Sequence, residues 1–144
     1  MVENQQATKQ KKSFDKNRLE LTPDGKFQLL GQKCLDCGAV QLGRHFACFK
    51  CLSRHLEDVN LSQHGKLTNY SVVQISPSSE WKGPVPYVLG EVMLPEGFAI
   101  TTMVYGLDNI GDSNIGMEMK LDIQKADEDK EGNDVMIYVW KPAA

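Results

Sequence analysis

No stretch of this 144-residue chain approaches the roughly 18 consecutive apolar residues of a membrane span. The first residues also lack the apolar run of a secretory signal. Both absences lead to the expectation of a cytoplasmic protein. Cysteine is scarce, with four in all, and in a reducing compartment two close thiol pairs are expected to hold a metal rather than to form disulfides. Catalytic motifs are missing too: there is no Gly-rich phosphate loop and no Gly-x-Ser-x-Gly. His45, His55 and His64 are scattered, without a carboxylate spaced to suggest a second metal or a general base, so they are read as surface residues. From Gly65 onward no window shows a convincing helical period.

What is present suits a small module followed by a domain of about 80 residues. Hydrophobic residues make up 41% and charged residues 24%, which allows a real core. The net charge of -3 hides an asymmetry. Residues 1–60 carry ten Lys and Arg against seven Asp and Glu, whereas residues 61–144 carry six against twelve. An acidic second half is a poor platform for a phosphate backbone.

Residues 1–25 are expected to form a polar tail, because the segment through about Arg18 has Phe14 as its sole large aromatic and cannot bury enough surface to order itself. Thr22-Pro23-Asp24-Gly25 is a turn signal leading into a short strand at residues 27–30. From Gly65 onward strands alternate with Pro, Gly and acidic turns, and five are expected at 66–75, 87–94, 98–105, 117–124 and 135–140. In the fourth, Met117, Met119, Leu121 and Ile123 alternate with polar residues, as in a sheet with one face in a core. The expected fold is mostly β: a zinc ribbon over residues 26–58, then a five-stranded OB-fold-like barrel over 59–144.

The strongest signal is Cys34-x-x-Cys37, ten intervening residues, and Cys48-x-x-Cys51. Two residues between paired thiolates let each pair clasp one side of a tetrahedral ion. Gly38 can adopt the backbone turn that aims N–H groups at sulfur; the second pair is followed instead by Leu52. One structural zinc is the expected cofactor, ahead of iron, a redox dithiol or a disulfide scaffold. Four thiolates leave no open coordination position, so the ion is expected to fold the ribbon rather than to catalyse.

A loop from Ser76 to Pro86 carries three prolines and Trp81. Trp81 is either a lid folded back over the barrel end or a partner contact. The charged run Asp127 to Glu131 is read as a solvated hairpin tip.

Cys34-Leu35-Asp36-Cys37-Gly38, Cys48-Phe49-Lys50-Cys51, Gly65 through Tyr70, Pro86-Tyr87, Glu96-Gly97, Ile115-Gly116-Met117 and Tyr138 through Pro142 together resemble the family called domain of unknown function thirty-five. The likeness spans about residues 26–142 and implies a rubredoxin-like zinc ribbon joined to an OB-fold. Members often place an aromatic-rich helix before the ribbon, where this chain is polar. The resemblance implies a non-catalytic subunit of an acyl-CoA-processing hetero-oligomer, in which a thiolase-fold or acyl-CoA hydratase-like partner supplies the catalytic residues; the leading reading is a thiolase-fold partner that cleaves a 3-oxoacyl-CoA with free CoA. On that reading Lys33, Arg44, Lys50 and Arg54 either approach the CoA phosphates or are solvated. Two other functions stay open: a nucleic-acid-binding ribbon and OB module, which a basic groove with stacking aromatics would favour, and a free-standing acyl-CoA-binding protein.

Overall fold

A computed structural model describes residues 10–22, 24–107 and 109–143. The first nine residues of the expected tail and Pro23 of the expected turn therefore lie outside the described residues. The strands are β1 (Lys11–Ser13), β2 (Leu19–Leu21), β3 (Phe27–Cys34), β4 (Val40–Leu42), β5 (Leu56–Asn60), β6 (His64–Val73), β7 (Tyr87–Met93), β8 (Ala99–Val104), β9 (Glu118–Glu128) and β10 (Asp134–Pro142). A 3-10 turn, Asp112–Asn114, precedes β9.

The first sheet is built on β3. Its start pairs with β2, and its second half lies between β4 and β5, all antiparallel. The second sheet closes on itself. Strands β6, β7 and β8 form an antiparallel meander, β9 pairs with both β6 and β10, and β10 meets β8 in parallel at Trp140 and Val104. Five strands closed in the order β6-β7-β8-β10-β9 make the OB-type barrel. Gly65, near the start of β6, lets that strand pass close to the end of β7, since a Cβ there would lie 2.3 Å from the Met93 carbonyl oxygen.

The alternation in β9 holds: Met119 and Leu121 are buried while Glu118 and Lys120 are exposed. This strand runs on to Glu128, four residues past the expected end. Its polar extension is held by register against β10 and by Lys125, whose ammonium lies 3.2 Å from Asp134, so hydrophobic alternation carried no sign of it.

The N-terminal stretch needs a larger correction. Residues 11–13 form β1, parallel to β10, with the Phe14 N–H donating to the Met136 carbonyl at 2.9 Å. The Phe14 ring packs 5.8 Å from that of Tyr138, and Leu19 is wholly buried. Order comes here from the barrel edge, which offers unpaired backbone groups, and from the burial of Leu19 in the barrel's core, rather than from any apolar run along the segment.

A continuous core joins the two sheets. Leu19 and Leu29 of the first belong to the same cluster as Leu67, Val92, Ile100, Met119 and Trp140 of the barrel, with Leu61 from the connection between them. The Glu96 carboxylate, at the β7–β8 turn, accepts the Ser62 N–H at 2.7 Å and so ties that connection to the barrel.

Candidate metal centre

The far end of the first sheet brings all four cysteines together. Cys34 ends β3, Cys37 lies in the turn to β4, and Cys48 and Cys51 lie in the segment before β5. Each pair is wrapped by the same backbone turn. The Gly38 N–H donates to the Cys34 carbonyl at 2.9 Å, and the Leu52 N–H donates to the Cys48 carbonyl at 3.0 Å. Gly38 has φ +81°, and Leu52 reaches the same left-handed region at φ +65° although it is not glycine. The second knuckle therefore has the geometry of the first without the residue that makes it easy.

The sulfurs are disposed for a metal ion. All four lie within 4.8 Å of one another, with Cys34 to Cys51 and Cys37 to Cys48 each at 3.6 Å. A regular tetrahedron of thiolates about an ion at 2.3 Å has edges of about 3.8 Å. A disulfide would need roughly 2.05 Å, and the four thiols are free. Backbone N–H groups point at sulfur, from Cys37 to Cys34 at 3.4 Å and from Lys50 to Cys48 at 3.3 Å.

The Cys37 N–H foremost, joined by the Asp36 N–H, brings the Cys34 thiol down to about 6 against the opposing effect of burial. Cys48 is lowered in the same way, chiefly by the Cys51 N–H. Cys51, although the Ser53 N–H favours its thiolate, is pushed up to about 12 by burial and by the neighbouring sulfurs. Some thiolates form readily and the last resists. Full ionisation of the set therefore calls for a cation among the sulfurs, and these residues fit one.

Two groups that braced the cluster went unremarked in the sequence. Gln32 and Gln41, opposite each other on β3 and β4, are buried. The Gln41 amide nitrogen donates to Gln32 Oε1 at 3.2 Å, and its own Oε1 accepts the Phe49 N–H at 3.0 Å, inside the second knuckle. Gln32 Oε1 also accepts the His45 N–H at 2.7 Å. The available clue was that Gln32 precedes Cys34 by two, on the same strand face. The other group crosses between knuckles: Asp36 accepts from the Ser53 hydroxyl and lies 3.0 Å from His55 Nδ1. The Ser53 hydroxyl first, then His55, hold the Asp36 carboxyl below the usual carboxylate range. His55 thus has a carboxylate partner that its sequence position did not reveal.

A family model described as the ChsH2 C-terminal OB-fold domain matches residues 58–124. The chain is 35% identical, over 81% of its length and 88% of the relative's, to a DUF35 domain-containing scaffold protein of Methanothermobacter thermautotrophicus. The chain belongs to the DUF35 family. It is also 30% identical to the benzoylsuccinyl-CoA thiolase subunit BbsA of Geobacter metallireducens, over 71% of this chain and 70% of that one. Among solved structures it is similar to an Ltp2-ChsH2(DUF35) aldolase, at 28% identity and a TM-score of 0.63, over 81% of this chain and 86% of that chain.

In this DUF35 chain the five further candidate residues fall in two places. Lys33, Arg44, Lys50 and Arg54 are all exposed on the ribbon. Arg44 pairs with Asp58 at 3.4 Å, and the Arg54 guanidinium lies 4.3 Å over the Phe46 ring. Trp81 sits apart on the β6–β7 loop, half-buried, its ring 5.6 Å from Tyr87 and its indole N–H donating to the Pro84 carbonyl at 3.1 Å. These contacts fold Trp81 onto its own loop. That loop in turn forms one wall of a cavity of about 420 Å³ with Met103, Tyr105 and Leu107.

Proposed function

We propose that this chain is the non-catalytic, zinc-bearing subunit of a thiolase-type acyltransferase complex, in which a thiolase-fold partner cleaves a 3-oxoacyl-CoA with free CoA. The observation that carries the proposal is the convergence of every cysteine in the chain on one cluster. Thiolysis needs a free thiolate nucleophile and a second acid or base, and a thiolate bound to a closed four-sulfur site is neither free nor basic. The names of the relatives, scaffold protein and thiolase subunit, support a place in an acyl-CoA-processing complex.

In this reading Cys34, Cys37, Cys48 and Cys51 hold one zinc ion, which supplies the folding energy of the ribbon. The ribbon, residues 26–58, and the OB-fold domain, residues 59–144, brace the partner in the cytoplasm. Lys33, Arg44, Lys50 and Arg54 face the CoA phosphates or the partner, and Trp81 adds a contact from its loop. Likeness to BbsA makes benzoylsuccinyl-CoA, an intermediate of anaerobic toluene breakdown, the specific substrate to try first. No helix among the described residues is long and apolar enough to cross a membrane.

The test is reconstitution. The chain and a thiolase-fold subunit are purified separately and together, and CoA-dependent cleavage of 3-oxoacyl-CoA esters is followed. Activity is expected with both proteins, and none with this chain alone. Turnover by the isolated chain, sustained after removal of any co-purifying enzyme, overturns the proposal. Elemental analysis is expected to find one zinc per chain.

A further inference from the structure

Large apolar side chains crowd the surface around the sulfur cluster. Leu35 is 62% exposed, Phe46 75%, Phe49 68% and Leu52 76%. Leu35 and Phe49 are the first residues inside the two Cys-x-x-Cys loops, Leu52 follows the last cysteine, and Phe46 is two residues before Cys48. Coordination holds these loops in place of a core, so burial within the chain makes no use of these four side chains. Concentrated exposure of this kind marks an interaction site.

Leu52 adds an independent sign. The first knuckle has Gly38 at the left-handed position, and the second has a leucine there at φ +65°. A leucine in that region is strained, and its mostly exposed side chain gains little packing in this chain to offset the strain. The convergence of the sulfurs holds the backbone there, but nothing among the described residues calls for a leucine in place of a glycine at that position.

The surroundings say what kind of surface. Between residues 33 and 55 there are four Lys and Arg and a single acid, Asp36, which is engaged by Ser53 and His55. We infer that the ribbon tip, centred on Phe49 and Leu52, is the surface that docks the catalytic subunit, onto an apolar patch with an acidic rim. The inference rests on the subunit reading above and names the contact. Two copies of the tip facing each other would set like charges together. A tip placed on another copy's acidic barrel would be a heterologous contact, which runs on into rings or filaments instead of a closed pair.

The test titrates the full chain into the purified thiolase-fold subunit by calorimetry at low and high salt. Leu52→Gly is expected to keep its metal and its β-strand circular dichroism and to melt about 3 °C higher, because the strain is gone. The same variant is expected to bind the partner about tenfold more weakly, a pairing that a purely structural role for Leu52 does not produce. Phe49→Ser combined with Leu52→Gly should lose about a hundredfold. Lys50→Glu, which alters only the rim, should weaken binding about fivefold, chiefly through slower association, and the effect should shrink at high salt.

If the unaltered chain binds and the double variant binds equally well, the docking surface is overturned and the subunit reading stands. If the unaltered chain does not bind at all, both fall. Self-association of the unaltered chain that the double variant abolishes overturns the inference in favour of a second copy. Adsorption to phosphatidylglycerol vesicles that the double variant abolishes, without an effect on partner binding, overturns it in favour of a membrane surface.

Discussion

In the barrel the large side chains point inward. Trp140, Met119, Val139 and Leu67 have no exposed surface, and the Trp140 indole N–H donates to the Ile100 carbonyl at 3.2 Å. In the outer ribbon the pattern is reversed: Phe46, Phe49 and Leu52 face solvent, while Cys34, Cys48, Gln32 and Gln41 are buried. A buried large apolar side chain contributes about 1.5–3 kcal/mol to the barrel. The outer ribbon has too few of them to form a core; in their place it has four clustered thiols able to hold a metal ion and a small polar network. Its apolar side chains are left exposed. The two regions are not independent, because Leu19 and Leu29 root the ribbon sheet in the barrel core.

The contrast should break most sharply at the cysteines. Cys48→Ser is expected to abolish stable metal binding, measured by elemental analysis, and with it the order of residues 34–56, since apparent binding energies of structural zinc run to about 10 kcal/mol or more. The barrel strands and the β2–β3 base should persist by circular dichroism and hydrogen exchange, because their core does not include the knuckles. Complete loss of strand signal would show the two regions to be one cooperative unit.

The reciprocal change is Trp140→Ala, expected to cost about 3–5 kcal/mol by denaturant titration, as the largest fully buried side chain is replaced by a cavity. A smaller effect is expected at the polar network. Gln41→Ala leaves the Phe49 N–H without its partner, at a cost of about 1–3 kcal/mol. Its signature should be faster metal release to a chelator, with little change in barrel melting, and equal release rates would mean that the network does not brace the knuckle.

The smallest effect should come from pH. Asp129 is exposed to acid titration at the β9–β10 turn. The Asn133 N–H, at 2.8 Å, is the main group holding its carboxyl below the ordinary value, with Lys12 3.3 Å away. A carboxyl depressed on folding contributes stability that is fully present above its unfolded value of about 3.9 and is lost as pH falls through the folded value. Asp129→Asn should therefore flatten the fall in stability below about pH 4 and leave a smaller difference from the unaltered chain at the acid end than at neutral pH.

What the amino-acid order determined by itself was whatever depends on local spacing. The two Cys-x-x-Cys pairs announce a four-thiol site, because two residues between ligands let each pair clasp one side of an ion and ten residues between the pairs let the clasps meet. The alternation in β9 announces one wet and one dry face. The Pro and Gly turns separate five strands whose closure the structure confirms as an OB-type barrel. Tertiary structure decided the rest. β1 forms because β10 presents an open edge, and nothing within Lys11–Ser13 itself requires a strand. Gln41 braces the knuckle because β4 lies opposite β3, and His55 meets Asp36 because the two knuckles fold onto one another. The left-handed backbone of Leu52 arises in the same way. A leucine does not choose that conformation alone, but it accepts one when two thiol pairs must converge on a single point, since the geometry of four sulfurs outweighs the preference of one residue.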